Sequence, residues 1–124
     1  MKVLANDGIS ESGIKKLEEY GFNVDLTTVA QEQLVDYINT NSINSLLVRS
    51  ATQVRKDIID NCPSLKIIGR GGVGMDNIDV EYAKSKGIKV INTPAASSKS
   101  VAELVFSHLF SCVRFLHESN RSMP

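Results

Sequence analysis

The sequence predicts an α/β fold in which a doubly wound, five-stranded, mostly parallel sheet of the flavodoxin-like kind is followed by a long C-terminal helix. Two observations carry this prediction: short apolar runs alternate with amphipathic helical patterns along the chain, and turn residues separate them. Strand–helix–strand units at this spacing make right-handed crossovers between parallel strands. With 124 residues, the chain has room for one compact domain.

The first half of the chain contains two of these strand–helix units. Residues 2–5 form a short apolar run that Asn6, Asp7 and Gly8 close as a turn. Ser10 then caps a helix that ends at Gly21. Residues 22–26 alternate like a strand near a sheet edge, and residues 31–41 predict a second amphipathic helix.

The second half predicts three more strands and then a long helix. The strands span residues 45–48, 65–68 and 88–91, and the helices between them span residues 54–61 and 79–86. Ser100 and Glu103 have capping-box spacing, which begins a helix predicted to continue to about Glu118. Its apolar residues leave almost no polar face: Val101, Ala102, Leu104, Val105, Phe106, Leu109, Phe110, Cys112, Val113, Phe115 and Leu116. Such a helix is expected to be covered on more than one side, so we expect a homodimer through residues 100–118.

The composition disfavours several classes of protein. Lys plus Arg equals Asp plus Glu at 14 each, so no net charge attracts nucleic acid or an anionic membrane. The longest uncharged apolar stretch, residues 104–113, is about half of the ~20 residues that a membrane span needs. No signal-peptide pattern opens the chain. Cys62 and Cys112 lie far apart in no CxxC pattern, as expected for reduced thiols in the cytoplasm.

The glycine-rich segment from Gly69 to Gly74 satisfies the Gly-x-Gly-x-x-Gly dinucleotide pattern and follows a predicted strand. However, Asp76 and Asp79 come next, where the cofactor phosphates would lie, and the following strand ends in Asn92 rather than in a ribose-binding acid. A turn that brings backbone N–H groups close to a small anion is therefore favoured over a pyrophosphate site. The alternative is a tight turn that binds no ligand.

Arg49 and Ser50 follow the third predicted strand, and Arg70 ends the fourth, at the edge where open α/β sheets bind ligands. Each arginine is either an anion-binding residue or a surface residue paired with an acid. Asn92 and Ser97 could line the same crevice. His108 and His117 lie nine residues apart, on opposite faces of one continuous helix, so a shared metal ion is not expected.

Four ordered blocks resemble the D-isomer-specific 2-hydroxyacid dehydrogenases: residues 48–52, 65–79, 87–94 and 100–104. The resemblance implies a two-domain NAD enzyme that acts on a small anionic 2-hydroxy acid. It implies that residues 1–97 are the substrate-binding domain and that residues 98–124 are a linking helix leading toward a nucleotide-binding domain.

The resemblance also implies roles for individual residues. Arg49 and Ser50 would contact the substrate, and Arg70 would line the cleft. The backbone of Gly71 and Gly72 would hold the substrate carboxylate, and Val73 would lie close to the nicotinamide of the cofactor.

Two departures from the family pattern matter. Ser97 stands where the family usually has asparagine, and the catalytic Arg, Glu and His of the family all lie downstream of this sequence. We therefore expect an N-terminal fragment of a dehydrogenase, without catalytic or metal-binding residues and inactive alone. The alternative is a free-standing flavodoxin-like module that binds a small anion or a partner protein.

Overall fold

The computed structural model describes residues 1–123, and its first part is a five-stranded parallel sheet. The strands are β1 (Lys2–Ala5), β2 (Asn23–Asp25), β3 (Ser45–Val48), β4 (Ile67–Arg70) and β5 (Lys89–Asn92). Their order in the sheet is β2-β1-β3-β4-β5, and every neighbouring pair is parallel. This order confirms the predicted doubly wound α/β fold, because the chain moves outward from β1 in one direction and then continues from β3 in the other.

Helices cover both sides of the sheet. They are α1 (Glu11–Glu19), α2 (Leu34–Thr40, preceded by a 3-10 turn at Gln31–Gln33), α3 (Lys56–Asn61) and α4 (Val80–Ser85). Ser10 caps α1 as predicted, since its hydroxyl accepts the N–H of Gly13. The main core cluster packs on one face of the central strands, where the register partners Leu4, Leu46 and Ile68 are fully buried.

Three strands differ from their predicted bounds. β2 is one residue shorter at each end, and β4 and β5 both begin and end later than predicted. The later starts of β4 and β5 arise because the apolar residue at each predicted start bonds back toward the preceding helix. Leu65 is buried but donates its N–H to the carbonyl of Cys62, so β4 begins at Ile67 rather than at residue 65. Ile88 donates its N–H to the carbonyl of Ala83, across Gly87 with a φ of +79°, so β5 begins one residue later than predicted.

A short parallel bridge between Val54 and Ile78 lies outside the five strands. The N–H of Val54 donates to the carbonyl of Asn77 at 2.8 Å, and the N–H of Asp79 donates to the carbonyl of Val54 at 3.0 Å. The bridge takes Val54 out of the predicted helix, so α3 begins only at Lys56. It also joins the segment after β3 to the segment after β4.

Contacts divide the chain into two compact units: residues 1–93 form the first, and the described residues from Pro94 onward form the second. The described part contains α5 (Ser98–Val113) and α6 (Leu116–Ser122). The prediction of one helix from Ser100 to about Glu118 is therefore wrong: Phe115 adopts a left-handed conformation (φ 52°), which ends α5. None of the described helices has the length and apolarity needed to cross a membrane.

Candidate functional site

A cleft of about 730 Å³ opens at the carboxyl edge of the sheet. It is lined by the segments that follow four strands: Asp7–Ser10 after β1, Leu47–Arg49 at the end of β3, Gly69–Gly71 at the end of β4, and Ile91–Thr93 at the end of β5. The chain reverses its winding direction between β1 and β3, which is where open α/β sheets bind ligands. All of these residues belong to the first compact unit.

Gly69, the first glycine of the predicted glycine-rich turn, has a packing role. A Cβ built at this position would lie 2.7 Å from Cδ2 of Leu47 on the neighbouring strand. A side chain here would displace the end of the Leu47 side chain, and both residues line the cleft. Gly69 therefore allows close packing of the cleft floor.

Arg49 lies at the cleft with an exposed side chain. Its main chain is fully engaged: the N–H donates to Oδ2 of Asp7 at 2.6 Å, and the carbonyl accepts hydrogen bonds from Arg70 and Asn77. Its guanidinium makes no hydrogen bond or ion pair within residues 1–123. A fixed backbone with an uncommitted cationic head is an arrangement suited to binding an anion.

Arg70 occupies the cleft wall in a different way. Its Nε donates to the carbonyl of Arg49 at 3.0 Å, and its Nη1 donates to the carbonyl of Gly74 and lies 3.5 Å from the carboxylate of Asp76. The side chain is only 13% exposed. Arg70 thus joins the loop after β3 to the loop after β4, and much of its hydrogen-bonding capacity is already used.

The glycine-rich loop has both engaged and free N–H groups. Gly71 donates its N–H to the carbonyl of Val48 at 2.9 Å, and Gly72 donates to the carbonyl of Arg70 at 3.0 Å, so neither group is free for a carboxylate in this structure. The N–H groups of Val73 and Gly74 make no hydrogen bond with the rest of the described chain. The free donors of the loop are therefore the N–H groups of Val73 and Gly74, whereas the family resemblance implies a carboxylate held by the backbone of Gly71 and Gly72.

Asp7 lines the cleft, although the sequence predicts it only as part of a turn. Its carboxylate accepts the N–H groups of Arg49 and Thr52 and the hydroxyl of Thr52. Although partial burial opposes the effect, these hydrogen bonds and one from Ala51 hold the pKa of the Asp7 carboxyl below its usual value. The signal for this role is a carboxylate two residues after a buried strand, at the point where the winding direction reverses.

Two buried asparagines complete the support of the loop after β3. Asn77 donates from Nδ2 to the carbonyls of Arg49 (3.0 Å) and Thr52 (2.7 Å). Asn6 donates from Nδ2 to the hydroxyl of Thr52 at 2.8 Å and also bonds both backbone groups of Val29. Neither residue was singled out for this role, because the bonding partners are distant in sequence.

The other predicted site residues are not all brought together. Ser50 lies beside Arg49, at a smaller recess of about 460 Å³. Val73 is 50% exposed on the glycine-rich loop, and the amide of Asn92 donates to its carbonyl at 2.6 Å. Ser97 belongs to the second unit, one residue before α5.

The two histidines lie on different helices, because α5 ends before His117. Within residues 1–123 no group of metal-binding side chains is present.

The family model of the D-isomer specific 2-hydroxyacid dehydrogenase, catalytic domain, matches residues 3–122. The chain belongs to this family. D-3-phosphoglycerate dehydrogenase of Methanocaldococcus jannaschii is 43% identical over 123 residues, covering 99% of this chain and 23% of that protein. Hydroxypyruvate reductase of Thermotoga maritima is 52% identical over 81 residues, covering 65% of this chain and 26% of that protein. The chain thus spans about a quarter of the length of these relatives.

Solved structures agree with this assignment. The NAD⁺-bound 3-phosphoglycerate dehydrogenase of Entamoeba histolytica matches with a TM-score of 0.71 and 29% identity, covering 90% of this chain and 38% of that one. The TT0316 protein of Thermus thermophilus matches with a TM-score of 0.81 at 23% identity, covering 98% of this chain and 39% of that one, and supports the fold alone.

Proposed function

We propose that this chain is the substrate-binding part of an NAD-dependent 2-hydroxyacid dehydrogenase that oxidises 3-phosphoglycerate to 3-phosphohydroxypyruvate, a step toward L-serine. The observation that carries the proposal is the free guanidinium of Arg49 beside an apolar-floored cleft at the carboxyl edge of the sheet. The names of the similar proteins from M. jannaschii and E. histolytica support the choice of substrate.

In this proposal the chain binds the anionic groups of the substrate. The guanidinium of Arg49 forms charge-assisted hydrogen bonds with one anionic group, and the hydroxyl of Ser50 adds a neutral contact. The free N–H groups of Val73 and Gly74 bind the carboxylate. Arg70 acts from the wall, where it keeps the two loops together.

In this proposal NAD contacts this chain only at the exposed side chain of Val73 on the glycine-rich loop. The carboxylate of Asp76 and the packing role of Gly69 leave no pyrophosphate site on the glycine-rich turn, whereas the exposed side chain of Val73 fits against a nicotinamide ring. When bound, NAD would accept the hydride from the 2-carbon of the substrate. The cleft lining contains no histidine to accept the hydroxyl proton. We therefore propose that the catalytic residues lie outside this chain.

A hybrid enzyme tests the proposal. We expect the purified chain to show no NAD-dependent oxidation of 3-phosphoglycerate. A hybrid in which it replaces the matching 123 residues of the M. jannaschii dehydrogenase should be active. In the hybrid, Arg49→Ala should raise KM roughly 10- to 100-fold, because a charge-assisted hydrogen bond contributes about 1.5–3 kcal/mol. Arg121→Ala, which removes an exposed guanidinium from α6, is the matched control and should leave KM unchanged.

The second candidate function is a free-standing module that binds small anions. It is favoured by the location of the whole cleft within residues 1–93, so that anion binding needs no other domain. A folded but inactive hybrid, together with tight binding of inorganic phosphate by the chain alone, would favour the module over the enzyme.

Assembly and location are also proposals. Seven large apolar residues of α5 are more than half exposed: Val101, Leu104, Val105, Phe106, Leu109, Phe110 and Val113. We propose that they form the centre of a homodimer interface, since exposed apolar patches of this size mark interaction sites. The two unpaired cysteines support a cytoplasmic location.

A further inference from the structure

We propose that Asp7 is a positioning residue of this site, whose carboxylate holds the backbone of residues 49–52 in the conformation that presents Arg49 and Ser50 to the bound anion. The inference rests on the proposed function, because it takes that loop to be the substrate-binding loop.

The strand register places Asp7 beside this loop. Ala5 pairs with Leu47, and the N–H of Asn6 donates to the carbonyl of Leu47 as the last hydrogen bond between β1 and β3. The next residue, Asp7, therefore stands opposite the first loop residue, Arg49. Gly8 follows with a φ of +78°, a conformation that suits glycine and turns the chain away from the loop.

One carboxylate binds both ends of the loop. Oδ2 of Asp7 accepts the N–H of Arg49 at 2.6 Å and the N–H of Thr52 at 3.2 Å, and Oδ1 accepts the hydroxyl of Thr52 at 2.5 Å. Hydrogen bonds to an ionised acceptor are stronger than those to a neutral one. The loop ends are thus held at a fixed separation by a single side chain.

The opposite side of the loop is held by carbonyl contacts. Asn77 donates to the carbonyls of Arg49 and Thr52, while Asp7 accepts their N–H groups. The hydroxyl of Thr52 is oriented as well, because it accepts from Asn6 and donates to Asp7. Within the described chain the side chains of Arg49 and Ser50 make no hydrogen bond. The N–H and carbonyl groups of the loop backbone are therefore hydrogen-bonded before a ligand binds, and the side chains of Arg49 and Ser50 stay free for the ligand. This arrangement reduces the entropy cost of ordering the loop on binding.

The charge of Asp7 argues against a simple attraction to the ligand. Asp7 lines the cleft and the smaller recess, so a direct contact would place a carboxylate next to an anion. Its two oxygens are instead directed at loop donors. Any contribution of Asp7 to anion binding must pass through the position of Arg49 and Ser50.

The test is a double-mutant cycle on this chain, in which calorimetry measures the dissociation constant of 3-phosphoglycerate. We expect Asp7→Ala to weaken binding about tenfold and Asp7→Asn, which keeps one carbonyl acceptor, to weaken it less. In the Arg49→Ala background, Asp7→Ala should cause little further loss, since the two residues act as one unit.

Asp25→Ala is the matched control. Asp25 also accepts a loop N–H (Thr27, 3.0 Å) and a side-chain hydroxyl (Tyr37, 2.9 Å), but it is the last residue of β2 and does not line the cleft. It should lower stability without changing the dissociation constant. Amide hydrogen exchange of Arg49 and Thr52 should accelerate in Asp7→Ala and remain slow in Asp25→Ala.

The outcomes separate the two proposals. Undiminished binding by Asp7→Ala overturns only the role of Asp7 and leaves the proposed function standing. The same holds if Asp7→Ala causes an equal loss of affinity in the presence and absence of the Arg49 side chain. Failure of the unsubstituted chain to bind 3-phosphoglycerate overturns the proposed function and this inference with it. If Asp7→Ala does not fold, the isosteric Asp7→Asn carries the same cycle.

Discussion

Replacing Asn6 by alanine is expected to destabilise the first compact unit strongly. Asn6 is 3% exposed at the carboxyl end of β1. Its amide donates to the carbonyl of Val29 (3.1 Å) and to the hydroxyl of Thr52 (2.8 Å), and its Oδ1 accepts the N–H of Val29 (2.8 Å). Alanine would remove all three hydrogen bonds and leave both backbone groups of the buried Val29 without this partner.

The magnitude follows from these contacts. A typical intramolecular hydrogen bond contributes about 0.5–1.5 kcal/mol net, and a buried group left unsatisfied costs about 1–3 kcal/mol. We expect Asn6→Ala to lower the free energy of unfolding by about 2–4 kcal/mol, a large share of the roughly 5–15 kcal/mol of a small domain.

Denaturation in urea, followed by circular dichroism, measures the loss as a lower midpoint at an unchanged slope. Asn39→Ala is the control, because its exposed amide makes one hydrogen bond, to the carbonyl of Asn61 at 2.8 Å. This change should cost no more than about 0.5 kcal/mol. Equal losses for the two variants, or a loss below about 1 kcal/mol for Asn6→Ala, would refute the reasoning.

Three further predictions address charge, thiols and assembly. Partial burial opposes the shift, but hydrogen bonds from Thr27 and Tyr37 and the charge of Lys2 lower the pKa of Asp25 below 3.8 in the folded chain. The ionised carboxylate of Asp25 therefore stabilises the fold above pH 3.8, and this contribution is lost as the pH falls through the lower pKa of the folded chain. The acid-induced drop in thermal midpoint should then be smaller in Asp25→Asn than in the unsubstituted chain. Burial, with a smaller contribution from Asp57, raises the pKa of the Cys62 thiol to about 11, so a thiol reagent should label only the exposed Cys112 of the folded chain, and Cys112→Ser should abolish labelling. Phe106→Asp should shift sedimentation of the chain from dimer to monomer, because it places a charge within the proposed interface. A dimer that persists in this variant would show that this face of α5 is not the dimer interface.

The fold could be predicted from the sequence because four of the strands contain short apolar runs, β2 lies in an alternating segment, and helical patterns separate them. The errors lie where an apolar residue serves another element. Leu65 and Ile88 read as strand residues, but each bonds back to the preceding helix. The break at Phe115 is not evident from the sequence, because apolar residues stand on both sides of Arg114 and no glycine or proline marks the end of a helix there.

The candidate site was predictable only where one residue follows one strand. Arg49 and Ser50 were placed correctly at the carboxyl edge by that rule, since the parallel sheet puts all strand ends together. The supporting residues depend on contacts across the fold: Asp7 lies 42 positions from Arg49, and Asn77 lies 28 positions from it. The engagement of the N–H groups in the glycine-rich loop depends on the folded backbone: Gly71 donates across the sheet to Val48, and Gly72 donates to Arg70 within its own turn.

The bridge between Val54 and Ile78 has a kinetic consequence. It joins the loop after β3 to the loop after β4 at the far end of both, while Arg70 joins them beside the cleft. Because these contacts tie the two loops at both ends, we expect the loops to move together rather than as independent flaps, so that neither alone gates the cleft. Ligand association should then follow a single exponential whose rate rises linearly with ligand concentration, without the plateau that a slow opening step imposes.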